Sequence, residues 1–182
     1  MEMVGDKLTS SPLQFGFKKN SSCNYAVFTL RMLVKHYCST GSTLTLCALD
    51  IPKAFDRVNF YGLLNALMTR QFPKIFVSIM FDWLQKSVCL VRWASCLSSV
   101  FPVTAGVRQG GLLSPAHFAI YIDDLIVRLK ASKFGCHLNG VYYGCLVYAD
   151  DILLLSHSVQ TMQYMLDICD SYAIDYDLKF NC

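Results

Sequence analysis

Two adjacent carboxylates, Asp150 and Asp151, constrain the fold of this chain more than any other feature of its sequence. They separate two apolar runs of strand length, residues 145–149 and 152–155, which are rich in Leu, Val, Ile and Tyr. Aspartate is disfavoured inside strands and favoured in turns, so the pattern predicts a β-hairpin with both acids at its tip. Taken alone, such a pair is most simply interpreted as an acidic turn with no chemical role.

A close pair of carboxylates also has an electrostatic consequence. Their mutual repulsion raises the pKa of one of them unless cations lie between them. A hard ion such as Mg²⁺ binds through few protein carboxylates and retains room for water and substrate phosphates. The predicted hairpin tip is therefore a candidate site for Mg²⁺.

Two further features strengthen the prediction of a metal-dependent site. Asp50 ends an apolar run, residues 44–49, that predicts a buried strand. The glycine-rich loop 106–111 permits close approach to a ligand, and its Arg108 and Gln109 offer hydrogen-bond donors to a phosphate or a base. Three carboxylates with a donor loop predict two-metal phosphoryl transfer, in which one ion activates a hydroxyl and the other stabilises the leaving pyrophosphate.

The order of predicted elements indicates an α+β fold, with an antiparallel sheet covered by helices. Strands are predicted over residues 44–50 and in the central hairpin, with a smaller hairpin over 87–104 and an Asn-Gly turn at 139–140. Apolar residues at helical spacing predict helices over 25–37, 59–70, 73–86, 114–133 and 161–174.

Composition narrows the class of protein. A hydrophobic content of 54% over 182 residues allows one sizeable core and excludes disorder. No apolar run is long enough to cross a bilayer and residues 1–12 lack a signal-peptide stretch, so we expect an intracellular protein of the cytoplasm or nucleus with no membrane partner. The net charge of +3 permits contact with a polyanion without requiring it, and the oligomeric state stays open.

Other residues of chemical interest are given structural interpretations. The nine cysteines show no zinc-ligand spacing, and most are interpreted as small buried hydrophobes in a reducing compartment. The four isolated histidines are interpreted as ordinary surface or core residues, and Trp83 and Trp93 as core residues. Asp123 and Asp124 lie in a predicted helix and are interpreted as its solvated face, not as a second metal site.

Four segments resemble, in order, the motifs of reverse transcriptases: 14–17 (QFGF), 49–58 (LDIPKAFDRV), 106–115 (GVRQGGLLSP) and 148–151 (YADD). The combination is similar in particular to the enzymes of non-LTR, LINE-like retrotransposons, and it covers residues 13–181. Four motifs in order are highly specific, whereas the last tetrapeptide alone is only moderate evidence. The resemblance implies an RNA-directed DNA polymerase that adds deoxyribonucleotides from their triphosphates to a DNA primer on an RNA template.

The resemblance also implies roles for individual residues. Asp50, Asp150 and Asp151 would ligate two Mg²⁺ ions, or Mn²⁺ in their place, with the carbonyl of Ile51 as a further ligand. Phe55 would lie under the incoming sugar and exclude a 2′-hydroxyl. The remaining substrate-binding positions would be Arg108 and Gln109 in the loop, Gly110 for its close approach, and Tyr148 at the primer end.

The implied architecture is a right-hand polymerase, a single reverse transcriptase domain fragment over residues 1–182. Residues 43–57 and 112–182 would form the palm, and 1–42 and 58–111 part of the fingers. Pro52 departs from the family pattern. Because residues 1–12 match no triphosphate-binding segment and no thumb follows, we expect a fragment truncated at both ends that polymerises little by itself. The alternatives are an inert retroelement relic or nucleic-acid-binding module, and an intron-maturase polymerase.

Overall fold

The computed structural model describes residues 8–181, which form five α-helices and nine β-strands within that range. The helices are α1 (Cys23–Ser39), α2 (Phe60–Thr69), α3 (Lys74–Gln85), α4 (Ser114–Ser132) and α5 (Val159–Tyr176). The strands are β1 (Thr45–Leu49), β2 (Val88–Cys89), β3 (Arg92–Trp93), β4 (Cys96–Leu97), β5 (Phe101–Pro102), β6 (His137–Leu138), β7 (Val141–Tyr142), β8 (Cys145–Tyr148) and β9 (Asp151–Ser156). A short 3₁₀ helix, Ala54–Arg57, follows β1.

The central sheet has three antiparallel strands in the order β1–β9–β8. Strands β8 and β9 form the predicted hairpin, in which Tyr148 is paired with Asp151. Strand β1 is paired with the other edge of β9, with Leu49 opposite Ile152. The predicted α+β class with an antiparallel sheet is confirmed by this arrangement.

The prediction that β1 is buried throughout is wrong. Leu49 is buried, whereas Leu46 is 46% exposed and Ala48 is also exposed. The reason is the position of β1 at the edge of the sheet, where side chains alternate between two faces and only one of these faces is fully covered.

Helices cover the sheet and form the core with it. Helix α4 is the most deeply embedded, with Phe118, Tyr121 and Ile122 all fully buried. It is joined to α5 by hydrogen bonds from the Tyr121 hydroxyl to the Tyr176 carbonyl (2.6 Å) and from the Tyr172 hydroxyl to the Tyr121 carbonyl (2.5 Å). Helix α5 contacts β9 and β1, and α1 contacts β8. All five predicted helices are confirmed, although their ends differ by a few residues.

The small hairpin over residues 87–104 is confirmed, but it projects from the core. Strand β2 is paired with β5 and β3 with β4, and the side chains of all four strands are exposed. The interpretation of the tryptophans as core residues is therefore wrong, because Trp93 in this hairpin is 82% exposed and Trp83 is 43% exposed.

Cysteine burial is also more varied than expected. Cys136, Cys145 and Cys169 are buried, whereas four others, Cys23, Cys38, Cys89 and Cys96, are exposed. None of the cysteines within residues 8–181 forms a disulfide. None of the helices in residues 8–181 is both long and apolar enough to cross a membrane.

The interpretation of Asp123 as a solvated acid is wrong. Its side chain forms an ion pair with Arg70 of α2 and accepts a hydrogen bond from the Ser11 amide (2.6 Å), and the residue is 7% exposed. Arg70 also donates to the Thr9 carbonyl (2.6 Å). Because α2 packs against α4, the face of α4 that carries Asp123 is part of a helix–helix interface and not of the solvent-exposed surface. Asp124, by contrast, stays partly exposed and pairs with Arg128.

Replacing Asp123 by Ala should lower the free energy of unfolding by about 3 kcal/mol, because the largely buried Arg70 guanidinium loses its partner. The matched control is Asp82→Ala, which removes an exposed ion pair with Lys86 and should cost less than about 1 kcal/mol. Urea denaturation of both variants provides the measurement. Equal losses in the two variants would contradict a stabilising role for the Asp123 pair.

Candidate active site

The strand register brings the three predicted carboxylates to one end of the central sheet. Asp50 immediately follows Leu49, whose partner Ile152 immediately follows Asp151. If the same register is continued by one residue beyond this last pair, Asp50 comes opposite Asp151. Its own backbone is fixed by two hydrogen bonds with Asn181, in which each amide donates to the other's carbonyl at 2.9 Å.

The hairpin tip has an unusual backbone conformation. Only Ala149 and Asp150 separate the last residue of β8 from the first residue of β9. Ala149 has a φ of 59°, in the left-handed region. A positive φ at the first central position matches the twist of a two-residue hairpin loop, but glycine is the usual residue there.

Gln14 is the main residue of this site that the sequence analysis missed. It is fully buried, its Nε2 donates to the Ala149 carbonyl (3.2 Å), and its Oε1 accepts from the Ala149 amide (3.1 Å). Segment 14–17 belongs to one of the four motifs, but no periodicity or charge pattern distinguishes a buried glutamine from an exposed one. Asn181 was also missed, because it contacts Asp50 only through its backbone, which any residue type could do.

The carboxylates influence one another electrostatically. The pKa of Asp151 is raised from its ordinary value, first by burial and then by the negative charges of Asp150 and Asp50. This agrees with the expectation that one member of the pair holds its proton more strongly. The three acids are therefore close enough to interact although Asp50 is distant in sequence.

The donor set fits a hard divalent cation by its chemistry. Three carboxylates near one sheet end supply the oxygen ligands that Mg²⁺ prefers, and bound cations relieve their repulsion. Within residues 8–181, however, no three or more His, Cys, Asp or Glu side chains are gathered into an arrangement that could hold a metal ion. Asp50, Asp150 and Asp151 are thus neighbours, but their side chains are not already arranged as a metal-binding site.

An open cavity of about 480 Å³ borders the carboxylates. Apolar side chains of α1 and of the sheet line most of it, and the remaining lining residues are Asp50, Tyr148, Asp151 and Asn181. Tyr148 is 39% exposed. This cavity can therefore admit a ligand that presents both an apolar surface and groups attracted to carboxylates.

Phe55 lies in the 3₁₀ helix that follows β1, held between two other aromatic rings. Its ring stacks on Phe118 of α4 at 5.3 Å and meets Phe17 edge-on at 5.7 Å. Ile51, between Asp50 and the 3₁₀ helix, is fully buried and anchors this turn in the core. Phe55 is half-buried, so one part of its ring remains accessible.

The glycine-rich loop is attached to the 3₁₀ helix. The Val107 amide donates to the Phe55 carbonyl (2.7 Å), and Gln109 Nε2 donates to Asp56 Oδ1 (3.3 Å). Gly106 has a φ of 92°, and a Cβ there would lie 2.9 Å from the Asp56 carbonyl oxygen. The close approach within the chain therefore occurs at Gly106, because a Cβ on Gly110 would meet no atom within 4 Å.

Arg108 and Gln109 line a second cavity of about 260 Å³, which shares no lining residue with the first. His117 also lines it and is 1% exposed, and burial lowers the pKa of its imidazole to about 4. Its Nε2 has no hydrogen-bond partner among the described residues. The structure thus groups Asp50, Tyr148, Asp150 and Asp151 at the sheet end, whereas the loop donors Arg108 and Gln109 line a separate cavity.

Comparisons with known proteins give a consistent result. Residues 3–182 match the model of a family described as reverse transcriptase (RNA-dependent DNA polymerase). The chain is 25% identical to the Retrovirus-related Pol polyprotein from type-2 retrotransposable element R2DM of Drosophila melanogaster, over 98% of this chain and 17% of that protein. It is 30% identical to the RNA-directed DNA polymerase from mobile element jockey of Drosophila funebris, over 74% of this chain and 15% of that protein. The chain thus spans about a sixth of the length of these relatives.

Solved structures show a similar fold. The apo telomerase of Candida tropicalis superposes with a TM-score of 0.73 over 99% of this chain and 35% of that chain, at 13% identity. Telomerase of Candida albicans in complex with a TWJ fragment of telomeric RNA gives a TM-score of 0.69 over 97% of this chain and 31% of that chain, at 14% identity. At these identities the likeness concerns the fold alone.

The raised pKa of Asp151 predicts a pH-dependent stability difference between the wild type and Asp151→Asn. The native carboxyl holds its proton more strongly than the unfolded one, so its contribution favours the folded state at low pH. That contribution is lost as pH rises from the ordinary value of 3.8 through the higher native pKa. The free energy of unfolding of Asp151→Asn should therefore rise relative to that of the wild type across this pH range. Above the native pKa the difference between the two proteins should be constant.

Urea denaturation in metal-free buffer, from below pH 3.8 to neutrality, measures this difference. Asp170→Asn, at an exposed acid of α5, is the matched control for removal of one negative charge. A wild-type to Asp151→Asn difference that stayed constant with pH would contradict the electrostatic account.

Proposed function

The chain belongs to the reverse transcriptase family, and from that premise we propose that it is the polymerase domain of a non-LTR retrotransposon protein. In this proposal it adds deoxyribonucleotides, taken from their triphosphates, to a DNA 3′-hydroxyl on an RNA template. The observation that carries the proposal is the register of β1, β9 and β8, which sets Asp50 beside the hairpin that bears Asp150 and Asp151. Because the chain is about a sixth of its relatives' length, the reaction of the whole protein is part of the proposal.

Asp50, Asp150 and Asp151 are the residues that would hold the metal ions, with the Ile51 carbonyl as a further oxygen ligand. Two Mg²⁺ ions, or Mn²⁺, would supply activation of the primer hydroxyl and stabilisation of the pyrophosphate. The chain's own contribution is to hold negative charge at a fixed place. The raised pKa of Asp151 supports this role, because it reflects repulsion between neighbouring carboxylates that a bound cation would relieve.

Phe55 is the proposed sugar gate. Its ring is wedged between Phe118 and Phe17, so it cannot move aside easily when a ligand presses on it. A fixed aromatic surface rejects a 2′-hydroxyl by steric clash, which discriminates between two similar substrates. The position of Phe55, a few residues after Asp50, supports this assignment.

The other assigned residues would contact nucleic acid or nucleotide. Tyr148 shares a cavity with Asp50 and Asp151, which supports a role at the primer end. Arg108 and Gln109 are exposed donors for template or nucleotide, and Gly110 leaves open space for a substrate group to approach. In domain terms, residues 43–57 and 112–182 are the proposed palm, and 1–42 and 58–111 the partial fingers.

A non-catalytic relic that only binds nucleic acid is the second candidate. One observation favours it: among the described residues the carboxylates do not already form a metal-holding cluster. The two candidates differ in whether Asp150 is needed for nucleotide incorporation, so one substitution separates them.

Asp150→Asn should reduce nucleotide incorporation by about 10²–10³-fold or more, because the change removes one of the carboxylates that would hold the metal ions. The assay is extension of a DNA primer on an RNA template by the full-length protein that carries this chain, with Mg²⁺. Asp170→Asn, at an exposed acid of α5, is the matched control and should behave like wild type. If the protein binds primer–template but shows no Asp150-dependent incorporation, the non-catalytic candidate is correct.

Phe55→Ala should raise the use of ribonucleotides relative to deoxyribonucleotides by roughly tenfold or more, because a small side chain leaves room for the 2′-hydroxyl. The measurement is the ratio of kcat/KM for the two substrates. Phe134→Ala, which removes a Phe ring stacked on Tyr164, is the control. An unchanged ratio in an active Phe55→Ala protein would show that Phe55 is not the gate.

A further inference from the structure

The loop that carries Asp150 depends on a conformation that its own sequence does not favour. Ala149 adopts a φ of 59°, which an L residue other than glycine adopts only at an energetic cost. The loop contains only two residues, so a relaxed Ala149 would change the direction of the backbone at Asp150. Some interaction outside the hairpin must therefore stabilise this conformation.

Gln14 supplies that interaction through both halves of its amide. Its Nε2 donates to the Ala149 carbonyl (3.2 Å) while its Oε1 accepts from the Ala149 amide (3.1 Å). The same Oε1 accepts from the Gly16 amide (2.8 Å). The side chain is fully buried, so water does not compete for these hydrogen bonds.

The segment around Gln14 lies directly against the hairpin. The Phe15 amide donates to the Val147 carbonyl (2.7 Å), and the Val147 amide donates to the Leu13 carbonyl (2.8 Å). A Cβ on Gly16 would lie 2.3 Å from the Ala149 nitrogen, so only glycine permits this approach. The backbone of segment 13–16 is thus fitted to β8 and to the turn.

The segment is also fixed at its start, away from the hairpin. Asp123 accepts from the Ser11 amide (2.6 Å), and Lys18 Nζ donates to the carbonyls of Ser10 and Ser11 (3.1 Å each). These bonds attach residues 10–11 to α4 and to the following turn. Gln14 is therefore held from one side by contacts that do not involve the hairpin.

We propose that Gln14 is a positioning residue for the carboxylate-bearing hairpin: it holds Ala149 in the left-handed conformation and thereby fixes Asp150 and Asp151. This inference rests on the proposed function, since the two acids matter for catalysis only there. Gln14 itself touches no reacting group. Its effect passes through the Ala149 peptide, so a residue that adopts the same conformation unaided should make Gln14 dispensable.

The test combines Gln14→Met, which keeps the side-chain volume but removes the hydrogen bonds, with Ala149→Gly, which adopts a positive φ freely. Gln14→Met should lower kcat for nucleotide incorporation by roughly 10- to 100-fold, since small misplacements of reacting groups have effects of that size. KM for the triphosphate should change little. The double variant should recover most of the loss, measured against Ala149→Gly alone as its reference.

Hydrogen exchange gives a readout that needs no activity. In Gln14→Met the amides of Ala149 and Gly16 lose their acceptor and should exchange faster, whereas amides within α5 should not change. If the wild type incorporates no nucleotide, the proposed function fails while the exchange result still tests the role of Gln14. If Gln14→Met leaves both kcat and Ala149 exchange unchanged, or if glycine at 149 gives no rescue, the inference is wrong.

Discussion

The pairing of β9 with strands on both of its sides is the constraint on which the rest of the structure depends. Strand β8 is a near neighbour in sequence, but β1 comes from a distant part of the chain. Because side chains alternate with a period of two, a slip of one residue between β1 and β9 would move Leu49 out of the core and Asp50 away from Asp151. Core packing and the placement of the acids are thus set by the same register.

The three acids of the site, Asp50, Asp150 and Asp151, do not favour the stability of the folded state. They lie at the end of an otherwise apolar sheet, where burial and the negative charges of Asp150 and Asp50 raise the pKa of Asp151. A sequence chosen for stability alone would avoid such a group, so the charge cluster is a departure of the kind expected at functional sites. The buried Leu154 and Cys145, a few residues along the hairpin from the acids, belong to the core that supports it.

Local patterns were sufficient to predict the helices, the carboxylate hairpin and the sheet end at Asp50, because period and turn chemistry are encoded in neighbouring residues. They failed where a distant partner determines the environment. The sequence around Asp123 predicts a surface acid, but α2 places Arg70 beside it. Trp93 is predicted to lie in the core, but it belongs to a hairpin that projects from the core. Gln14 lies in a recognised motif, but its neighbours do not indicate its role, which depends on a turn that lies 135 residues away.

Two contacts that close the site join residues far apart in the chain. Gln14 meets Ala149, and Asp50 forms its backbone bridge with Asn181. Contacts of such separation form late, because the entropy of closing a long loop must be offset by structure already in place. During synthesis the helices α1 to α3 can therefore form well before the carboxylates meet. The nascent chain carries all three acids for some time without a site to hold a cation between them.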